Sequence, residues 1–305
     1  MTTTTPRETE SPTASGGNPF TGLIRTMRPR QWVKNVLVLA APFASGVILR
    51  PDVLAAVGIS FVAFSLAASG VYLVNDVKDV KADRAHPTKR NRPIAAGVVS
   101  PTLALAAATV LFAAAIGVSF LASTDLVIVT VVYIAVQISY CLWLKHQPVM
   151  DISIVASGFL LRAIAGGAAA EIALSQWFLL ATAFGSLFMV AGKRYAEIRL
   201  AERTGAKIRK SLEGYTASYL RFVWTLSAAV MIMTYGLWAF QVSVANHNSR
   251  WAVISMVPFV LAVLRYAVDV DSAKGGEPEE IALGDRVLQV LGGALVLTLV
   301  AAVYL

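Results

Sequence analysis

The chain has 305 residues, of which 57% are hydrophobic and only 14% charged, with a formal net charge of +8. So apolar a composition excludes an ordinary soluble domain. The single cysteine, Cys141, excludes a disulfide framework, and the three scattered histidines offer neither zinc spacing nor a Ser-His-Asp arrangement.

Residues 1–21, rich in Thr, Ser, Pro and Gly, read as a disordered tail with no cleavable signal. Residues 22–305 read as one all-α membrane domain. Nine segments are long and apolar enough to cross a bilayer: 33–49, 53–74, 100–122, 125–144, 151–170, 175–194, 218–241, 251–268 and 284–305. Pro42 interrupts the first. Lys and Arg fix the orientation. Arg50 and Arg250 alone lie in the short loops after odd-numbered segments, and Arg162 lies inside a segment. The remaining cations gather in the N-terminal region and around the loops after even-numbered segments. By the positive-inside rule the N-terminus is cytoplasmic, and nine crossings put Leu305 outside. This basic face suits anionic membrane lipids or an anionic substrate. Nucleic acid is not expected, because the charges are tied to helix ends.

The run Arg28-Pro29-Arg30-Gln31-Trp32-Val33-Lys34-Asn35 reads first as an interfacial anchor; Lys34 and Asn35 can also reach the mouth of a bundle. The second segment ends in Asn75-Asp76-Val77-Lys78-Asp79-Val80-Lys81-Ala82-Asp83. At ~100° per residue on a helix, Asn75, Asp76, Asp79 and Asp83 fall within an arc of about 100°. Oxygen ligands on one face suit a hard divalent cation, with Mg²⁺ the default because it shares itself with substrate phosphate. A solvated acidic helix end is the plain alternative. The loop continues through His86-Pro87-Thr88-Lys89-Arg90-Asn91-Arg92-Pro93-Ile94. Cations beside carboxylates suit a metal-bound phosphate, whose remaining charge Lys89 and Arg92 would neutralise.

Tyr140 and Lys145 close the fourth segment and can point into the same mouth. Arg162, inside the fifth, is costly in lipid and is a functional candidate by default; pairing with a structural carboxylate is the competing reading. The second charged loop opens with Gly192-Lys193-Arg194-Tyr195-Ala196-Glu197. Lys193 and Arg194 can hold phosphate, and Glu197 can add a metal ligand. Arg203, Lys207, Arg209 and Lys210 read as solvent- or lipid-facing. The stretch from Asp269 to Arg286, with Glu277-Pro278-Glu279-Glu280, reads as a solvated connector, and Asn246-His247-Asn248 is the most polar outer loop.

Together, the nine segments, the Asn75–Asp83 motif and Arg92-Pro93-Ile94 followed by Gly97 resemble the UbiA superfamily of intramembrane prenyltransferases, over residues 22–305. The resemblance implies a nine-helix bundle around a cavity open to the cytoplasm and, laterally, to lipid. Most members carry a second aspartate-rich motif after the sixth segment, where this chain has Lys193-Arg194-Tyr195-Ala196-Glu197. That departure, with the Arg28–Asn35 run and Gly192-Lys193-Arg194, resembles one branch. Its members move 5-phosphoribose from phosphoribosyl pyrophosphate to decaprenyl phosphate, for cell-wall arabinan synthesis in the plasma membrane. The branch implies Mg²⁺–pyrophosphate at Asn75, Asp79 and Asp83, supported by Asp76. It implies donor oxygens on Lys89, Arg92, Lys193 and Arg194, and metal or ribose on Glu197. Tyr140, Lys145 and Arg162 would meet one of the phosphates; Lys34, Asn35 and Tyr195 complete the expected substrate contacts. A homo-oligomer is compatible with this reading. Two alternatives stand beside it: a prenyltransferase using a prenyl diphosphate with an aromatic or glycerol-phosphate acceptor, and a transporter. The boundary position of the acidic cluster weighs against the transporter.

Overall fold

The structure is a computed structural model describing residues 18–205, 212–245, 250–272 and 278–304. It is helical, with no strand among the described residues. The helices in chain order are α1 (Pro19–Met27), α2 (Ala40–Ala44), α3 (Pro51–Lys78), α4 (Val80–Ala85), α5 (Pro101–Ser119), α6 (Thr124–Leu142) and α7 (Met150–Ala169). They continue as α8 (Gln176–Thr204), α9 (Ala217–Ala245), α10 (Trp251–Ile254), α11 (Met256–Asp271), α12 (Pro278–Gly284) and α13 (Arg286–Tyr304). Short 3₁₀ turns cover Pro29–Leu39, Lys89–Asn91 and Leu144–His146.

Local chemistry explains the helix ends. Pro51 and Pro101 occupy first-turn positions, where a missing N–H costs nothing. Ser100 and Ser123 cap α5 and α6 by accepting from Leu103 N at 3.2 Å and Leu126 N at 3.0 Å. Gly205, at φ 67°, closes α8 in the left-handed conformation.

Among the described residues, seven helices are long and apolar enough to cross a membrane: α3, α5, α6, α7, α9, the continuous α10–α11 stretch and α13. They make this a multi-pass membrane protein. Two of the nine expected spans differ. Segment 33–49 is a 3₁₀ run followed by the five-residue α2, because Pro42 cannot donate the bond a continuous α-helix needs there. This run lies hard against α7: a Cβ on Gly166 would sit 1.7 Å from the Val38 carbonyl oxygen, so only glycine fits. Segment 175–194 lies within α8, whose apolar part ends at Lys193; the helix continues as a charged rod to Thr204.

Helix α8 packs along α9, α3 along α5, and α7 sits between α6 and α8. One core joins α7, α8, α9 and α11, with Trp224 stacked between Phe188 at 5.7 Å and Tyr195 at 5.5 Å. A second joins α3, α6 and α7 around Phe64 and Tyr133. The expected tail overlaps α1 at residues 19–21, which are helical; residues 1–17 lie outside the described set. So do Lys207, Arg209, Lys210, Asn246-His247-Asn248 and Glu277.

Candidate active site

The acidic motif does not form one continuous helical face. Helix α3 stops at Lys78, Asp79 takes φ −90°, ψ 2°, and α4 restarts at Val80. Asn75 and Asp76 therefore belong to α3, Asp79 sits at the break, and Asp83 belongs to α4. Helical hydrogen bonds still bridge the interruption, from Asp79 N to Asn75 O at 2.9 Å and from Asp83 N to Asp79 O at 2.8 Å, and Asp83 is 3% exposed.

Each carboxylate meets a cation. Arg92 donates to Asp83 at 2.8 Å and reaches Asp76 at 3.3 Å, tying the two helices together. Arg28 donates to Asp76 at 2.6 Å, with its guanidinium 4.8 Å from the Tyr72 ring centroid. Lys145 pairs with Asp79. Arg28, which the sequence suggested as an interfacial anchor, is thus part of the cluster. Asp76 is the better buried of its two partners, with a side chain 3% exposed. The 86–97 loop is braced by Arg84 Nε donating to Ala95 O at 3.0 Å. It is also braced by His86 Nδ1, which accepts from Thr88 N and Lys89 N at 3.3 Å each. Lys89 itself is exposed at its tip.

A second polar group joins α6, α7 and α8. Tyr140 Oη donates to Asp151 at 2.7 Å, and Arg194 contacts Asp151 at 3.3 Å and Glu197 at 3.6 Å. Asp151 is 1% exposed and Arg194 is 7% exposed, so the two neutralise one another out of water. Arg194 is therefore committed to Asp151, while Lys193 beside it is half-buried. Asp151 received no role from sequence; a carboxylate opening an apolar span was the available signal.

A third group lies deeper. Arg162 donates to Asn35 Oδ1 at 2.7 Å, Gly158 O at 2.6 Å and Tyr133 Oη at 3.1 Å. These three acceptors are neutral, and Asp151 is not among them. Asn35 in turn donates to Ser65 Oγ at 2.9 Å. Lys34 precedes it, half-buried. Tyr195 goes elsewhere: its ring is fully buried, its hydroxyl donates to Asp271 at 2.7 Å, and Arg221 donates to it at 2.6 Å.

Among the described residues, no three His, Cys, Asp or Glu side chains gather as a ready-made metal cage. The donor set nonetheless fits Mg²⁺, which takes one or two carboxylates and completes its shell with water and substrate phosphate. Asp79 and Asp83 offer hard oxygens, and half-buried Asn75 offers an amide oxygen.

The UbiA prenyltransferase family model matches residues 36–284. The chain belongs to the UbiA prenyltransferase family. It is 60% identical over 298 residues to the decaprenyl-phosphate phosphoribosyltransferase of Mycolicibacterium smegmatis, covering 94% of each chain. The protein of that name from Mycobacterium tuberculosis is 59% identical over 290 residues, covering 94% of this chain and 95% of the relative. In fold, the chain is similar to a UbiA homolog from Archaeoglobus fulgidus solved with DMAPP and Mg²⁺. That likeness has a TM-score of 0.69 and 15% identity, covering 92% of this chain and 97% of the other.

Proposed function

We propose that this UbiA-family chain transfers 5-phosphoribose from phosphoribosyl pyrophosphate to decaprenyl phosphate, giving decaprenylphosphoryl-5-phosphoribose and pyrophosphate. The observation that carries the reading is near-full-length identity of 59–60% to relatives named for this activity. The second loop supports it: Lys193-Arg194 stands where a prenyl diphosphate donor would call for further aspartates, and Arg194 is neutralised by Asp151.

The acceptor is a phosphate already ionised near neutral pH, so the reaction needs no strong base. Its oxygen forms the new bond at the anomeric carbon as the bond to pyrophosphate breaks, and the electron pair leaves with pyrophosphate. When bound, Mg²⁺ would neutralise that leaving group. Asn75, Asp79 and Asp83 would hold the ion, with Asp76 and Glu197 in support. Arg92, Lys89 and Lys193 would bind donor oxygens, Arg92 exchanging part of its hold on Asp83 for phosphate. Lys145, Tyr140 and Arg162 would face one of the phosphates from deeper in the bundle. Arg194 acts through Asp151, keeping the Tyr140 hydroxyl oriented. Lys34 and Asn35 sit at the α7 side of the same mouth.

In this reading the 33–49 segment and the apolar part of α8 add two crossings to the seven. The charged end then faces the cytoplasm of a plasma membrane, with the C-terminus outside and the polyprenyl tail in lipid. Anionic lipids would surround the basic face, and self-association is compatible with it. Purified protein given labelled phosphoribosyl pyrophosphate, decaprenyl phosphate and Mg²⁺ should form a labelled lipid. Turnover of a prenyl diphosphate with none of the ribosyl donor would overturn the proposal.

A further inference from the structure

A cavity of about 140 Å³ opens between α1 and the loop after α4, beside the acidic motif. Its wall carries Arg25, Arg28 and Arg92, with Thr88 and Asn91 among the neutral donors and Asp76 as the acidic member. Three guanidinium groups against one carboxylate leave this wall strongly cationic, even though Arg92 also serves Asp83. Each guanidinium has five N–H donors. Arg28 spends one on Asp76, and Arg92 spends one nitrogen on both carboxylates. Among the described residues, Arg25 has no carboxylate partner. The surplus donors suit a phosphate monoester, whose dianion accepts the paired N–H bonds of arginine.

Tight packing builds this pocket. A Cβ on Gly22 would come within 2.9 Å of the Val99 side chain and 3.1 Å of Val98, so α1 lies directly on the strip that closes the loop. Thr26 is buried beneath it, donating to Gly22 O at 2.9 Å. One water needs ~10–15 Å³ of such volume, so the cavity has room for a phosphate group. Its position also matters. Asp76 is in the pocket wall, and Asp79 follows three residues later, about 4.5 Å along the chain axis at ~1.5 Å per residue. A ribose ring spans a gap of that order, so one molecule can put its pyrophosphate at Asp79–Asp83 and a second phosphate in the pocket.

The geometry points to this pocket as the seat of the donor's 5-phosphate, a site distinct from that of the leaving pyrophosphate; the assignment rests on the phosphoribosyl reading. A prenyl diphosphate has no second phosphorylated end to place there. The pocket therefore selects a ribosyl donor by its 5-phosphate and fixes the sugar's orientation before the acceptor attacks.

The test uses the full chain in detergent and two probes, ribose 5-phosphate and pyrophosphate, each measured by calorimetric binding and by inhibition of transfer. Arg25→Gln, with Arg25→Lys as the charge-retaining control, should weaken ribose 5-phosphate at least 10-fold and leave pyrophosphate within twofold. Arg25→Lys should recover most of the loss. The KM for phosphoribosyl pyrophosphate should rise, with the KM for decaprenyl phosphate unmoved. Unchanged ribose 5-phosphate affinity would overturn the assignment. Equal losses for both probes would make this the pyrophosphate site, and a shift confined to the lipid KM would make it a headgroup site; either result overturns the proposal. Transfer by the wild-type protein is scored separately. If it forms no phosphoribosyl lipid, the functional reading fails, whereas normal transfer with an indifferent Arg25 fails the pocket alone.

Discussion

The Nε of Arg162 donates to Oδ1 of Asn35 at 2.7 Å, joining α7 to the 3₁₀ segment across 127 positions of sequence. The arginine is 7% exposed and its acceptors on Asn35, Gly158 and Tyr133 are neutral, so its charge is available to an anion inside the bundle. Asn35→Asp would supply the missing countercharge with almost no change in shape. That variant should remain folded yet lose at least ~10-fold in turnover, as one electrostatic contact to a reacting phosphate is cancelled. Asn35→Ala should instead lower stability by about 1.5–3 kcal/mol, the worth of a hydrogen bond to a charged group. Thermal unfolding in detergent alongside the transfer assay separates the two effects. Full activity in Asn35→Asp would remove Arg162 from the phosphate-binding set.

Asp79 sits at the break between α3 and α4 and Asp83 lies within α4, and each is held by a cation from another part of the chain, Lys145 and Arg92. Asp79→Ala or Asp83→Ala should cut turnover by at least ~100-fold, the scale of one lost electrostatic stabiliser. EDTA should act likewise on the wild type, with Mg²⁺ restoring it. Normal turnover in both variants would dismiss the metal assignment.

The pair formed by Arg194 and Asp151 is buried on both sides. Arg194→Ala strands the Asp151 carboxylate and should destabilise the protein by about 3–5 kcal/mol. The double variant Asp151→Asn/Arg194→Gln removes both charges together and should recover most of that loss. Its donor KM then tests whether Arg194 also touches substrate: an unchanged KM in the double variant leaves it a positioning residue.

Departure of pyrophosphate toward Asp79 and Asp83 leaves the acceptor to approach the anomeric carbon from the opposite side. A single displacement of that geometry turns the α donor into a β-linked lipid. NMR of the product's anomeric linkage decides this, and an α-linked product would contradict the single displacement.

Asp285 begins α13. Its Oδ1 accepts from Val287 N at 2.7 Å and Leu288 N at 3.0 Å, and its Oδ2 accepts from Arg265 Nε at 2.9 Å. The Arg265 hydrogen bond, followed by the Leu288 amide, pulls its pKa from 3.8 down to about 2. A carboxylate with a depressed folded-state pKa contributes stability that is complete above the unfolded value. It is lost as pH falls from about 3.8 toward about 2. Asp285→Asn should flatten the acid dependence of tryptophan fluorescence in that window while leaving stability near neutral pH independent of pH. An unaltered acid profile would show that the α11–α13 tie does not report through this group.

The sequence by itself determined the membrane class, most of the spans and the family. Length of apolar run, positive charge at loop ends and the Asn75–Asp83 spacing are local properties that need no partner to be read. It also singled out Asp83, Arg92, Lys145, Arg162 and Asn35, because polar groups at membrane helix ends or within spans are costly enough to stand out. Only the tertiary structure decided what each one meets. The break at Asp79 is a case in point. A helical projection places Asp76, Asp79 and Asp83 in one arc, whereas in the fold Arg92 joins Asp76 to Asp83 and Lys145 takes Asp79. Likewise Tyr195 adjoins the Lys193–Arg194 pair in sequence, yet its hydroxyl is taken by Asp271, 76 positions away. Arg28 and Asp151 acquired their places through contacts spanning 48 and 43 positions. Electrostatic pairing in a low-dielectric interior depends on which charges chain folding brings within a few ångströms, and no periodicity within a segment carries that information.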